Sequence, residues 1–168
     1  MAVPSASPLF LRETEIRRGV ELLYFGYSLL YRGIDQCLAT QGLGRAHHRA
    51  LYFIARQPDL TISELLRTLG ITKQSLGRVL GELTQRGLVE TRMGREDRRQ
   101  RLLRLTEAGQ ALEHDLFEAL RERLGGAYAQ AGQDAVTGFW RVLEAMIPAG
   151  ERGRIAVLGD GASPSRAD

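Results

Sequence analysis

Residues 61–109 read TISELLRTLGITKQSLGRVLGELTQRGLVETRMGREDRRQRLLRLTEAG, and the rest of the chain is organised around them. Thr61 and Glu64 have the spacing of a capping box, in which a hydroxyl accepts from a first-turn N–H and a carboxylate returns the bond. Leu65, Leu66 and Leu69 then mark the inner face of a short helix, and Gly70 suits the left-handed turn that ends one. Thr72 caps a second helix whose apolar residues Leu76, Val79, Leu80 and Leu83 recur at helical spacing. Two short helices about a glycine turn make a helix-turn-helix. After Arg86-Gly87, the run Leu88–Arg92 is a strand candidate, residues 93–99 form a polar tip, and Arg101–Leu105 returns as the partner strand. A hairpin directly after a helix-turn-helix is a wing.

On a helical wheel at about 100° per residue, Gln74, Arg78, Gly81 and Gln85 fall opposite the apolar stripe of the second helix. Lys73, Gln74 and Ser75 occupy its first turn, the part that enters the major groove in helix-turn-helix proteins. Lysine and arginine suit guanine O6/N7, and glutamine suits adenine N6/N7. Gly77 and Gly81 cost roughly 1 kcal/mol each against alanine, which close approach to a DNA backbone or a neighbouring helix would justify. The wing tip holds Arg95, Arg98 and Arg99, and an arginine in a narrow minor groove meets enhanced negative potential. The charge distribution agrees. Residues 61–109 contain ten basic and six acidic side chains, whereas the whole chain carries only +3, so the remainder is slightly acidic.

This stretch resembles the winged helix-turn-helix of the MarR family of bacterial transcriptional regulators. The resemblance rests on Gly87-Leu88-Val89 after the second helix, Asp97-x-Arg99 in the wing and Leu105-Thr106-x-x-Gly109 beyond it. It covers about Leu43 to Gly109 specifically and the flanking helices more loosely. It implies DNA binding through Thr72, Lys73, Gln74, Ser75 and Arg78 on the recognition helix and through Arg95, Asp97, Arg98 and Arg99 on the wing. Within the wing it assigns Arg99 to the minor groove and Asp97 to holding an arginine in place; Arg95 and Arg98 fall to phosphates. Family effectors, often aromatic acids, bind where dimerisation helices meet the winged helix; here that region includes Tyr31, Arg45, His47, His48 and Tyr52. One branch of the family senses organic hydroperoxides through a cysteine near the start of the first helix. Cys37 lies near the end of that helix, so it is read first as a small buried hydrophobe and second as a redox sensor.

From about Arg12 to Ala39, the residues Ile16, Val20, Leu23, Tyr27, Leu30, Ile34 and Leu38 recur every three or four positions and draw one apolar stripe. Leu22, Tyr24 and Phe25 add apolar surface off that stripe. More cover is needed than one small winged helix supplies, so a second subunit is expected. A helix over Arg45–Gln57 follows, with Ala46, Ala50, Leu51, Phe53 and Ile54 inward. Leu60-Thr61-Ile62 can add a third strand beside the wing. Beyond Gly109 the stripe Leu112, Leu116, Leu120, Leu124 predicts a helix interrupted at Gly125-Gly126. A last helix runs from about Gln133 to Ile147 and closes at Pro148.

At 168 residues, with 43% hydrophobic and 26% charged content, the sequence predicts one globular unit. No run approaches the ~18 apolar residues of a membrane span. The first residues lack a secretory pattern and one cysteine cannot form an internal disulfide, so the cytoplasm is expected. Catalysis, metal and cofactor find no motif. His47 and His48 are adjacent, so on a helix they project about 100° apart and chelate poorly. His114 is isolated, and Gly42-x-Gly44 lacks the strand and Lys-Ser/Thr of a phosphate loop.

The expected fold is mainly α with a small β-wing: a winged helix-turn-helix on a helical dimerisation region, with about six helices. Residues 1–10 are expected as a mobile arm, 11–42 and 106–148 as the dimerisation region, 43–105 as the DNA-binding region and 149–168 as a disordered tail. The expected partners are double-stranded DNA, a second copy of the chain and a small aromatic effector. A ligand-insensitive activator or architectural protein, and a winged-helix adaptor, are the competing readings.

Overall fold

A computed structural model describes residues 9–94 and 100–153. A 3-10 turn, Leu9–Leu11, leads into α1 (Glu13–Thr40) and α2 (Arg45–Arg56). Strand β1 (Leu60–Thr61) precedes α3 (Ile62–Leu69) and α4 (Lys73–Gln85). The hairpin is β2 (Val89–Met93) and β3 (Arg101–Leu105), after which come α5 (Glu107–Ala131) and α6 (Gln133–Met146). The fold is thus mainly helical with a small antiparallel sheet in the order β1-β3-β2.

The local chemistry that sets these boundaries is on the side chains. Thr61 Oγ1 accepts from Glu64 N–H at 3.2 Å and the Glu64 carboxylate accepts from Thr61 N–H at 2.8 Å, closing the capping box. The Thr61 hydroxyl also donates to Glu64 Oε2 at 2.7 Å, and this bond first, then the one from Thr61 N–H, holds the Glu64 carboxyl below its ordinary pKa. Gly70 ends α3 in the left-handed region at φ 60°. Asp59 is left-handed as well, at φ 67°, and pairs in bidentate fashion with Arg104 of β3, which fixes the turn between α2 and the sheet.

The sheet register puts Val89 opposite Leu105 and Thr91 opposite Leu103, which itself lies across from Leu60. Because strand side chains alternate, Val89, Leu103 and Leu105 share the inward face while Arg92 lies on the other; Arg101 shares the face of Leu103 but is exposed at the far end of the hairpin. Those inward residues meet Leu51 and Ile54 of α2, Leu65 of α3 and Leu76 and Leu83 of α4, all 1% exposed or less. Burying each such side chain contributes ~1.5–3 kcal/mol. Thr106 latches the hairpin back to α4: its hydroxyl donates to Gly87 O and accepts from Gly109 N–H at 3.1 Å. Gly109 lies so close to the chain before the wing that an added Cβ would stand 2.0 Å from Leu88 O.

Three expectations are corrected. α5 does not stop at Gly125-Gly126 but continues to Ala131. The glycines cost about 1 kcal/mol each, and packing beyond them offsets this: Tyr128 meets the rings of Phe139 and Trp140 edge-on and accepts from Trp140 Nε1–H at 3.0 Å. Residues 149–153, assigned to a disordered tail, are helical. Leu9 and Phe10, assigned to the mobile arm, belong to the 3-10 turn. Residues 1–8 and 154–168 lie outside the described residues. Among the described residues, no helix is long and apolar enough to cross a membrane.

The long α1 has two regimes. Ile34 and Leu38 are 1% exposed and join the core, whereas Ile16, Val20 and Tyr27 on the same stripe are 51%, 62% and 52% exposed.

Candidate nucleic-acid interface

α4 is held by its inner face and free on its outer one. Leu76, Val79, Leu80 and Leu83 are buried, while Lys73, Gln74, Ser75, Gly77 and Arg78 are exposed. At its N-terminus Thr72 Oγ1 accepts from Ser75 N–H at 3.2 Å and donates to Ser75 Oγ at 2.9 Å. The Thr72 hydroxyl therefore caps the helix, and the Ser75 hydroxyl holds it in place at the exposed end. Gln74 and Arg78, one turn apart, project from a rigid element, which is the geometry that base-edge recognition needs. Among the described residues nothing lies within 4 Å of a Cβ added at Gly77 or Gly81, so no neighbouring helix among them accounts for these glycines.

In the wing, Gly94 N–H donates to Gln100 O at 3.0 Å and closes the strand end. The tip residues Arg95, Asp97, Arg98 and Arg99 lie outside the described residues. Arg104, also basic and in the wing, is engaged by Asp59.

Of the five residues expected at an effector site, three meet and two do not. Tyr31, His48 and Tyr52 line a cavity of about 520 Å³ between α1, α2 and α5, together with Phe53, Phe117, Leu120 and Tyr128. The wall is almost wholly apolar. His48 is 2% exposed, and neither ring nitrogen has a protein partner among the described residues. Burial, and then the neighbouring Arg49 charge, push its pKa down, so the neutral imidazole is favoured. Its ring meets Tyr31 and Tyr52 with centroids 5.8 and 6.3 Å away. Burial raises the Tyr31 phenol, with Tyr27 and Tyr52 adding to it.

Arg45 and His47 are engaged outside that cavity wall. Arg45 forms a bidentate pair with Asp35 of α1 at 2.8 and 2.6 Å and lies over the Tyr27 and Tyr31 rings. The same bonds hold the Asp35 carboxyl below its ordinary range. His47 Nδ1 accepts from Gly44 N–H at 3.1 Å, which leaves Nε2–H to donate to Glu82 of α4 at 2.8 Å. Sequence reading missed Arg49, Phe117, Arg121 and Tyr128 of the cavity lining. Phe117 follows Leu116 on the α5 stripe, a usable signal; Tyr128 was hidden by the expected break at Gly125-Gly126. Cys37 is half-buried and packs against the core, with Thr40 Oγ1 donating to its carbonyl at 2.7 Å. Among the described residues no group of three or more His, Cys, Asp or Glu is placed to hold a metal ion.

Comparison with known proteins places this arrangement. A family model described as the MarR family matches residues 41–100, which span α2 to the wing. The HTH-type transcriptional regulator PetP of Rhodobacter capsulatus is 48% identical over 152 residues, covering 90% of this chain and 92% of that protein. Among solved structures, a cysteine-to-serine variant of MarR from E. coli complexed with operator DNA superposes with a TM-score of 0.63. It is 23% identical and covers 84% of this chain and all of its own. PcaV from Streptomyces coelicolor, in complex with its natural ligand, gives a TM-score of 0.59 at 19% identity, over 88% of this chain and 99% of its own. At these identities the two structures speak for the fold; PetP, matched over nearly its whole length, speaks for the family. The chain belongs to the MarR family of winged helix-turn-helix, DNA-binding transcriptional regulators.

Proposed function

We propose that this regulator binds a pseudo-palindromic operator as a homodimer in the cytoplasm, usually repressing, and that a small aromatic molecule in the α1–α2–α5 cavity relieves the repression. The observation that carries the DNA reading is the capped α4, whose outer face offers Lys73, Gln74 and Arg78 to solvent while its inner face is locked into the core. The wing arginines Arg95, Arg98 and Arg99 add the second contact, with Asp97 orienting one of them. Support for the dimer comes from the apolar residues left exposed on α1 and α6, which form the dimerisation region together with α5. Support for the effector comes from an apolar cavity holding one buried, unpartnered, neutral imidazole: a planar apolar body with one polar group fits it. No cofactor enters this reading, and no catalytic step.

A binding-site selection from random duplexes tests the DNA reading. Gln74→Ala and Arg78→Ala are each expected to relax preference at one position per half-site, while Arg99→Ala costs about 1–3 kcal/mol of affinity with folding intact. The half-sites should lie about one helical turn, ~34 Å, apart. If both α4 variants return the wild-type motif at every position, α4 does not read the bases.

A further inference from the structure

α1 and α4 end in the same way. Gly42, at φ 63°, closes α1 with Leu43 N–H donating to Leu38 O at 2.9 Å and Gly42 N–H to Ala39 O at 3.0 Å. Gly87, at φ 68°, closes α4 with Leu88 N–H donating to Leu83 O at 2.9 Å and Gly87 N–H to Thr84 O at 3.0 Å. Each is a Schellman motif, which leaves further carbonyls of the last turn without a partner. The end of α4 supplies partners to the end of α1: the Arg86 guanidinium donates to Gln41 O at 2.5 Å and reaches Gly42 O at 3.5 Å. One turn earlier on α4, Glu82 accepts from His47 Nε2–H, and His47 Nδ1 in turn holds the first turn of α2 through Gly44 N–H. The segment from Gln41 to His47 is therefore tied to α4 at two points a helical turn apart, and to α1 through Arg45 and Asp35.

These ties are poorly placed to add stability. Arg86 is exposed and the Glu82 side chain is 40% exposed, and pairs of that kind contribute little. Beyond the core contacts that hold the inner face of α4, two points a turn apart add a restriction on its rotation against α1 that one point would not. Glu82 and Arg86 continue the four-residue series that begins with Gln74 and Arg78, so the tied end and the base-reading end belong to one rigid rod. From Arg86 to Gln74 that rod is about 18 Å long. A tilt of about 10° at the tied end moves the reading end by about 3 Å, close to the rise of one base pair.

We infer that Glu82 and Arg86, with His47, are positioning residues that fix the angle between the dimer-forming α1 and the recognition helix, and thereby set which half-site spacing the protein accepts. The inference rests on the homodimer–operator reading above. It assigns these side chains to spacing, not to base identity.

The test uses the full-length protein and the operator that the wild type selects from random duplexes, rebuilt with the spacer between half-sites changed by one or two base pairs either way. Wild type is expected to lose about tenfold or more at a wrong spacing, because the DNA must then be twisted or bent to fit. Glu82→Ala and Arg86→Ala, which keep good helix propensity, are expected to narrow that loss to about threefold or less while returning the wild-type motif within each half-site. Glu82→Gln keeps an acceptor for His47 Nε2–H and should restore the wild-type spacing profile. An unchanged spacing profile in both alanine variants overturns the inference. So does a uniform loss at all spacings with a flattened salt slope in Arg86→Ala, which marks a plain phosphate contact. A wild type that selects no operator, or shows no spacing preference, overturns the underlying reading instead.

Discussion

The winged half of the molecule and its helical ends treat their apolar residues in opposite ways. Between Ile34 and Leu105 the large apolar side chains of α2, α3, α4 and the sheet close on one another, and most are under 10% exposed. Outside it, Phe10, Val20, Leu22, Tyr24 and Phe25 at the chain's start and Trp140, Val142 and Met146 near its end are 47% to 71% exposed. α1 belongs to both halves, and its stripe keeps one period throughout. Periodicity therefore tells which face of a helix is to be covered; it says nothing of whether the same chain does the covering.

Four experiments bear on that contrast, and the largest effect should come from the open half. Val20→Asp combined with Leu23→Asp places two charges on the uncovered stripe of α1. The expected result is a dimer weakened at least about 1,000-fold, seen by sedimentation, with the winged half still folded by circular dichroism. A dimer of unchanged affinity would mean that another surface joins the subunits.

Against the closed half the sharpest blow is Gly109→Ala, at the start of α5. A Cβ there meets Leu88 O at 2.0 Å, and backbone cannot yield as a flexible side chain does. A loss of about 3 kcal/mol in denaturant unfolding is expected, from overpacking alone. Thr61→Ala is milder, at about 1 kcal/mol, because it removes one cap and leaves the core untouched. Its pH signature is specific. Folding lowers the Glu64 pKa from 4.5, so the stabilisation is present above pH 4.5 and is lost as pH falls below it. Thr61→Ala should flatten that acid limb.

The smallest effect is expected on the border of the two halves, at His48. Folding lowers its pKa from 6.5 by burial, so below that pH the unfolded chain binds a proton that the folded one resists. The stabilisation is present above pH 6.5 and lost as pH falls through the folded pKa. Thermal melts of wild type between pH 7.5 and 5.5 should decline more steeply than those of His48→Leu; equal slopes would mean that His48 is readily protonated where it sits.

What could be read from the sequence was what short-range chemistry decides. The caps at Thr61 and Thr72, the turn at Gly70 and the two strands of the hairpin each depend on neighbours a few residues away, whereas the short strand at Leu60-Thr61, legible as a pattern, pairs with Leu102 and Leu103 across the fold. Gly109 was legible as a pattern, but its reason, the carbonyl of Leu88, lies across the fold. Two failures show where local reasoning stops. Gly125-Gly126 looked like a break because helix propensity was weighed without Tyr128, Phe139 and Trp140, whose contacts carry α5 onward. His47 and His48 were both assigned to the effector region, yet one reaches Glu82, 35 positions away, and the other turns into the cavity between Tyr31 and Tyr52. The tip of the wing, with Arg95, Asp97, Arg98 and Arg99, lies outside the described residues, so its reading still rests on the family pattern.

One feature of α1 reaches beyond a single molecule. It is one unbroken helix of 28 residues, about 42 Å long, so its uncovered stripe and its buried end at Ile34 and Leu38 keep a fixed rotational phase. Inserting one residue between Leu30 and Ile34 would swing the outer stripe by about 100° and aim it away from any partner it suits. Four residues would leave about 40° of error, whereas seven would leave only about 20° and lengthen the helix by about 10 Å. Length change in this helix is thus restricted: seven or eleven added residues keep the stripe within about 20° of its phase, whereas a single one does not. Each permitted step would present the two reading heads of the proposed dimer at a different separation.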